Sequence, residues 1–229
     1  MAEPDPKKIG DFVSHSQISE VAEAFRKIAQ TAIETKLIVS QSRRDEDVKH
    51  IMINMLSYVS RQCTYIAQDV EQPIEKIAWA VRNLFELNLE FRSIQVLQSW
   101  KKYIAARARD EVDMLEGILS FADDQETDPA KTLIARIEEL KAIAQRNGFD
   151  ISKRDQTNYR QLAVISGVEQ EYLGFYRFYS KFIHPTSWLI NASDESKDSF
   201  ESRNIFYIQG QKYSWDLIFR IKDELDKDE

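Results

Sequence analysis

Apolar residues recur every three to four positions along most of this chain, and the stripes they form predict a succession of helices. Val21, Phe25, Ile28, Ala32 and Leu37 mark the first, from about Ser16 to Ser40. After a polar connection from Arg43 to Asp47, with Asp45 or Asp47 as cap, a second helix carries Ile51, Met55, Leu56, Val59 and Ile66 toward Val70. Pro73 suits the opening turn of a third, whose stripe is Ile77, Ala80, Leu84, Leu87 and Phe91. The pattern then runs without Pro or Gly to Gly117. One helix of that length would measure roughly 65 Å, too long for a compact domain, so a break is expected near Ser99, with a fourth helix through Tyr103, Val112, Leu115 and Leu119.

Asp128-Pro129 starts a fifth helix and Asn147-Gly148 stops it, with Leu133, Ile137, Leu140 and Ile143 between them. A shorter helix is expected from about Asn158 to Ser166. Gly167 punctuates it, and an aromatic helix follows from near Val168 to His184, where Pro185 disfavours helical geometry. Residues 191–202 are rich in Ser, Asp and Glu and predict an exposed loop. Beyond it, IFYIQ and KYSW flank Gly210-Gln211, a pattern that predicts a small β-hairpin before a last helix from Asp216 to Leu225. The fold class expected is therefore all-α, a multi-helix up-down bundle with a small C-terminal hairpin. Residues 1–15 read as a flexible arm, 16–229 as a single domain, and 203–229 as its C-terminal extension.

Composition narrows the function classes more than the fold. The 229 residues include only six glycines and five prolines, too few for a turn-rich β-sandwich. No window approaches the roughly 20 apolar residues of a membrane span, and MAEPDPKKIGDF lacks the apolar core of a secretory signal, so a cytoplasmic location is expected. The single cysteine, Cys63, lies among Met55, Tyr58, Val59 and Ile66 and reads as a packed apolar residue. His15, His50 and His184 stand far apart, with no HExxH or CxxC, so no metal and no cofactor are expected. Neither GxxxxGK[ST], GxGxxG nor GxSxG is present. A net charge of −7 opposes broad nucleic-acid binding, which Lys and Arg drive by neutralising phosphates, unless cations are focused locally. The run Lys101, Lys102, Arg107, Arg109 is one candidate focus; a solvated helix face is the plainer reading.

The stretch YLGFYRFYSKFIHP, Tyr172 to Pro185, holds the candidate chemistry. Seven helical steps return to within about 20° of the start, so Arg177 and His184 share a stripe, and Ser180 and Lys181 fall on it too. Metal-free RNA cleavage needs a base for the ribose 2′-hydroxyl, a cation at the phosphate and an acid for the leaving oxygen. Histidine titrates near neutrality, and the planar fork of arginine matches phosphate oxygens. Arg177 and His184 are thus the candidate catalytic pair. Ser180 or Tyr176 supplies a further hydrogen bond, and Lys181, Lys101 and Lys102 are candidate RNA contacts. In RNLFELNLE, Arg82, Glu86 and Glu90 follow at four-residue steps beside Asn83. They form either a plain ion-paired surface or a layer that orients Arg177 or His184 across a helix interface.

An Arg and a His separated as in RFYSKFIH, the string YxxxYxxxSxxxHP from Tyr172 to Pro185, and the upstream RNLFE together resemble the HEPN superfamily, the helical nucleotide-binding and ribonuclease domains of prokaryotic toxins and defence systems. The likeness covers about residues 75 to 190 and points to a bacterial branch. It implies a helical bundle that forms a homodimer around a composite, metal-independent RNA-cleaving cleft, with Arg177 gripping phosphate and His184 transferring protons. It also implies an antitoxin or defence-system protein as partner. Phe178 departs from the pattern, since many active members carry a polar residue directly after the arginine. Two other readings stand beside the nuclease. One is a non-catalytic helical module that binds a protein or nucleotide; the other is an adapter whose segment Ile205 to Trp215 adds a strand to another protein.

Overall fold

The computed structural model describes residues 5, 8–13, 18–124, 126–149, 151 and 158–228, and among these it is helical throughout, with no strand. The helices are α1 (Ile9–Val13), α2 (Ile18–Gln41), α3 (Glu46–Gln68), α4 (Ile74–Leu97), α5 (Trp100–Leu119), α6 (Asp128–Arg146), α7 (Tyr159–Ile165), α8 (Glu169–Ile183), α9 (Ser187–Asn191), α10 (Asp194–Lys197) and α11 (Phe200–Leu225), closed by a 3₁₀ turn at Asp226–Asp228. No helix among the described residues is long and apolar enough to cross a membrane.

The local signals that place the helix ends are visible side chains. Asp45 caps α3 by accepting from the Asp47 amide, and Asn158 caps α7 by accepting from the amides of Arg160 and Gln161. The long apolar run breaks at the expected place. Gln98 adopts a φ of +50°, a left-handed conformation costly for a residue with a Cβ, and α5 starts directly after Ser99. The same break divides the chain. Residues 1–96 and 158–229 form one compact unit and residues 97–157 a second, where the sequence predicts a single domain.

The first unit is built on the antiparallel pair α2 and α3, with α11 packed against both. Phe25, Ile28, Met52, Leu56, Ile66, Val81, Phe85, Phe206 and Ile218 are sealed from solvent in its core. Cys63 is buried there beside the Ser214 hydroxyl at 3.3 Å, and burial pushes its thiol up to about 12. Charged pins bind the helices at their edges. Asp216 of α11 accepts from Asn88 at 2.8 Å and pairs with Arg92 at 3.0 Å and Arg220 at 2.7 Å. Arg203 donates to the carbonyls of Val70 and Gln72 and to the Asp198 carboxylate. The second unit is the hairpin of α5 and α6. Val112, Ile137 and Leu140 fill it with Leu115, Leu119 and Ile151, and Arg136–Glu111 and Lys141–Glu116 pairs bridge the two helices.

Three expectations need correction. The C-terminal hairpin does not form, because residues 203–215 lie inside α11, a single helix of 26 residues. Its Phe206, Tyr207, Gly210, Ser214, Leu217, Ile218 and Ile221 are buried at helical spacing. The strand-adding adapter loses its basis with it. Gly210 serves packing rather than a turn: a Cβ there would stand 3.0 Å from both the Phe25 ring and a Val81 methyl. Second, residues 191–202 are not one loop. Two of their serines are caps, with Ser193 accepting from the Ser196 amide to start α10 and Ser199 accepting from the Ser202 amide to start α11. Third, within the expected arm over residues 1–15, Ile9–Val13 is helical and Phe12 is fully buried; residues 1–4, 6, 7, 14 and 15 lie outside the described residues.

Candidate functional site

Helix α8 presents its aromatic side to the core and its charged side to solvent. Tyr179 and Phe182 are buried, and Phe178 packs on Phe182 and Phe206 with ring centroids 5.0 Å apart in each case. Phe178, the residue directly after Arg177, is therefore half-buried and packs against core rings. Arg177 and Lys181 are exposed, four residues apart, and their side chains have no ion-pair or hydrogen-bond partner among the described residues. The helix stops where Pro185 demands it: His184 has an extended backbone, φ −110° and ψ 149°, and its ring is exposed.

The guanidinium that meets His184 comes from Arg82 on α4. Its Nη1 lies 3.3 Å from His184 Nε2, its Nη2 donates to the Tyr176 hydroxyl at 3.2 Å, and its Nε donates to the Glu86 carboxylate at 2.7 Å. Arg82 and Glu86 side chains are only 15% and 17% exposed, which separates them from an ordinary solvated i,i+4 pair. The guanidinium also lies over the Tyr176 ring, 4.9 Å from its centroid. Behind it Tyr172 stacks on Tyr176 at 4.8 Å and on Phe85 at 6.2 Å. Burial pushes the Tyr172 hydroxyl up, with Tyr176 and Glu86 adding to the rise and Arg82 opposing it. Every nitrogen of Arg82 thus has a fixed direction, so its charge is held at the imidazole rather than free to wander.

Arginine only donates, so a hydrogen bond between the two requires Nε2 as the acceptor. A guanidinium and an imidazole thus stand side by side at the open end of a helix. That pairing can hold an anionic oxygen and accept a proton from a neighbouring hydroxyl.

The remaining expected site residues distribute around this cluster. Arg177 lies two turns before His184, about 10 Å along the axis, and no described contact joins their side chains. Ser180 spends its proton on the Tyr176 carbonyl at 2.7 Å. Asn83, next to Arg82, has a buried amide nitrogen without a partner. Lys101 and Lys102 are exposed on α5 in the other compact unit. Among the described residues no three His, Cys, Asp or Glu side chains gather as metal ligands. Of the two readings of Arg82 and Glu86, the contact with His184 agrees with the layer across a helix interface, while sequence reading misses that Tyr172 backs it. The available signal was the four-residue step from Arg82 to Glu86, matched by that from Tyr172 to Tyr176.

No curated protein and no solved structure matches the chain. Residues 75–200, which carry Arg82, Glu86, Tyr172, Tyr176 and His184 together, match the family described as a family of unknown function, DUF5677. The match spans more than half of the chain, which therefore belongs to that family.

Proposed function

We propose that this chain is a HEPN-like, metal-independent endoribonuclease of a bacterial toxin or antiviral defence system, working as a cytoplasmic homodimer under the control of an antitoxin or other defence-system protein. The observation that carries this reading is the 3.3 Å approach of Arg82 Nη1 to His184 Nε2 at the exposed end of α8. When a phosphate enters, the Arg82 Nη1 proton turns to a phosphate oxygen and Nε2 is released to take the proton of the ribose 2′-hydroxyl. The 2′-oxygen attacks phosphorus, a 2′,3′-cyclic phosphate forms, and the 5′-oxygen leaves with a proton from an imidazolium. In the homodimer the imidazole of one copy accepts and that of the other donates. Arg177 and Lys181 contact flanking phosphates, and Glu86 and Tyr176 keep Arg82 aimed.

The purified chain is expected to cleave RNA in EDTA and leave cyclic phosphate ends, and His184→Ala is expected to abolish cleavage. Full activity in that variant removes the catalytic assignment. A second reading, a binding module for a protein or nucleotide, draws support from the same guanidinium: with Glu86, Tyr176 and His184 all engaged, Arg82 can serve as a structural pin. The net charge of −7 favours it as well. Nucleotide or peptide binding without any cleavage of RNA selects that reading.

A further inference from the structure

Most aromatic rings near the Arg82–His184 pair are already engaged. Tyr172 has Phe85 and Tyr176 against it, Tyr176 has Tyr172 and the Arg82 guanidinium, and Phe182 is buried. Two rings keep open surface: Trp79, 52% exposed and one turn before Arg82 on α4, and Trp188, 39% exposed, on α9, which begins three residues after His184 and so follows directly on the imidazole. Phe182 meets Trp188 edge-on, with centroids 5.1 Å apart and planes at 74°, so that indole has a rigid support. The turn leading to it is pinned as well. The Thr186 amide donates to the His184 carbonyl at 2.7 Å, and the Thr186 hydroxyl accepts from the Leu189 amide at 3.2 Å.

We propose that Trp188 is a nucleobase-stacking subsite, holding the base beside the phosphodiester that meets His184. The inference rests on the ribonuclease reading and adds its substrate class: a base lying on the indole must be unstacked, so the ligand is single-stranded RNA or an unpaired loop. The charges agree. Arg177 and Lys181 are exposed and unpaired among the described residues, about 6 Å apart along the axis, on the helix that leads to His184. They form a local cationic track on an acidic protein, which suits a single strand whose bases are gripped by stacking rather than by charge alone.

The test uses a fluorescein-labelled 2′-O-methyl oligonucleotide, which lacks the hydroxyl needed for cleavage, and reads binding by anisotropy. Trp188→Ala is expected to weaken binding about tenfold or more, while Trp188→Phe, still able to stack, retains most of the affinity. An abasic position moved along the strand is expected to find one site where wild type loses as much as Trp188→Ala does, and where Trp188→Ala loses nothing further. Oligonucleotide is also expected to quench tryptophan fluorescence in wild type, and less in Trp188→Phe. Should wild type cleave RNA in EDTA while Trp188→Ala binds with unchanged affinity, the subsite falls and the nuclease stands. Equal losses in the Ala and Phe variants also overturn the subsite. If wild type neither binds the oligonucleotide nor cleaves RNA, the nuclease reading falls and takes the subsite with it.

Discussion

At the scale of single residues, the decisive fact is which arginine reaches His184. Arg177 shares its helix but points its charge to solvent, whereas Arg82 crosses from α4 and is held by three separate partners. Fixed donors aimed at developing charge are worth far more than mobile ones, because no reorganisation is needed at the moment of reaction. Arg82→Ala is therefore expected to lower kcat on RNA about 100-fold, as loss of one aimed donor does elsewhere, while Arg177→Ala mainly raises KM. Steady-state kinetics on both variants check this. Equal effects in the two would return the phosphate-gripping role to Arg177.

Among the secondary-structure elements, α11 shows how packing overrides a local pattern. IFYIQ and KYSW are rich in β-branched and aromatic residues around a glycine, the composition of a hairpin. Yet the stretch from Ser199 onward also carries an apolar stripe at helical spacing, and as a helix it turns Phe206 to the rings of α8 and Ser214 to Cys63 of α3 while burying Tyr207 and Ile218. Gly210 sits where the backbone of α11 comes close to Phe25 and Val81, 3.0 Å from either for an added Cβ. Gly210→Val is expected to destabilise the chain by about 1 to 3 kcal/mol, despite the better helix propensity of valine, because the added methyls overfill the contact. Urea denaturation of the variant measures it, and unchanged stability would contradict the close approach.

For the molecule as a whole, the half-buried Arg92–Asp216 pair ties α4 to α11, with Arg220 joining it from within α11. Burial alone would raise the Asp216 carboxyl, but Arg92 and Arg220, with hydrogen bonds from Arg220 and Asn88, overcome it and hold the group below its ordinary value of 3.8. A carboxylate lowered on folding adds stability that is fully present above the unfolded value and is lost as pH falls from there through the lower folded value. Asp216→Asn is expected to cost about 3 kcal/mol at neutral pH, since it leaves Arg92 uncompensated. Its stability is also expected to fall less steeply than that of wild type below about pH 4. Denaturation midpoints across the acid range test both the cost and the slope.

Helix class, most helix ends and the break near Ser99 were legible along the chain, because capping side chains, Pro73, Pro185 and apolar spacing act over a few residues. Arg177, Ser180 and Lys181 fall on α8 as the spacing predicts, whereas His184 lies just beyond the helix in extended backbone and so leaves the stripe. What only the tertiary structure decided are the relations between helices: that Arg82 and not Arg177 stands at the imidazole, that Tyr172 and Phe85 back it, and that residues 203–215 continue one helix. Periodicity reports which face of an element is apolar, but the partner across an interface depends on how distant helices are rotated and shifted against each other. That arrangement is set by the filling of a shared core, which no local window of residues contains.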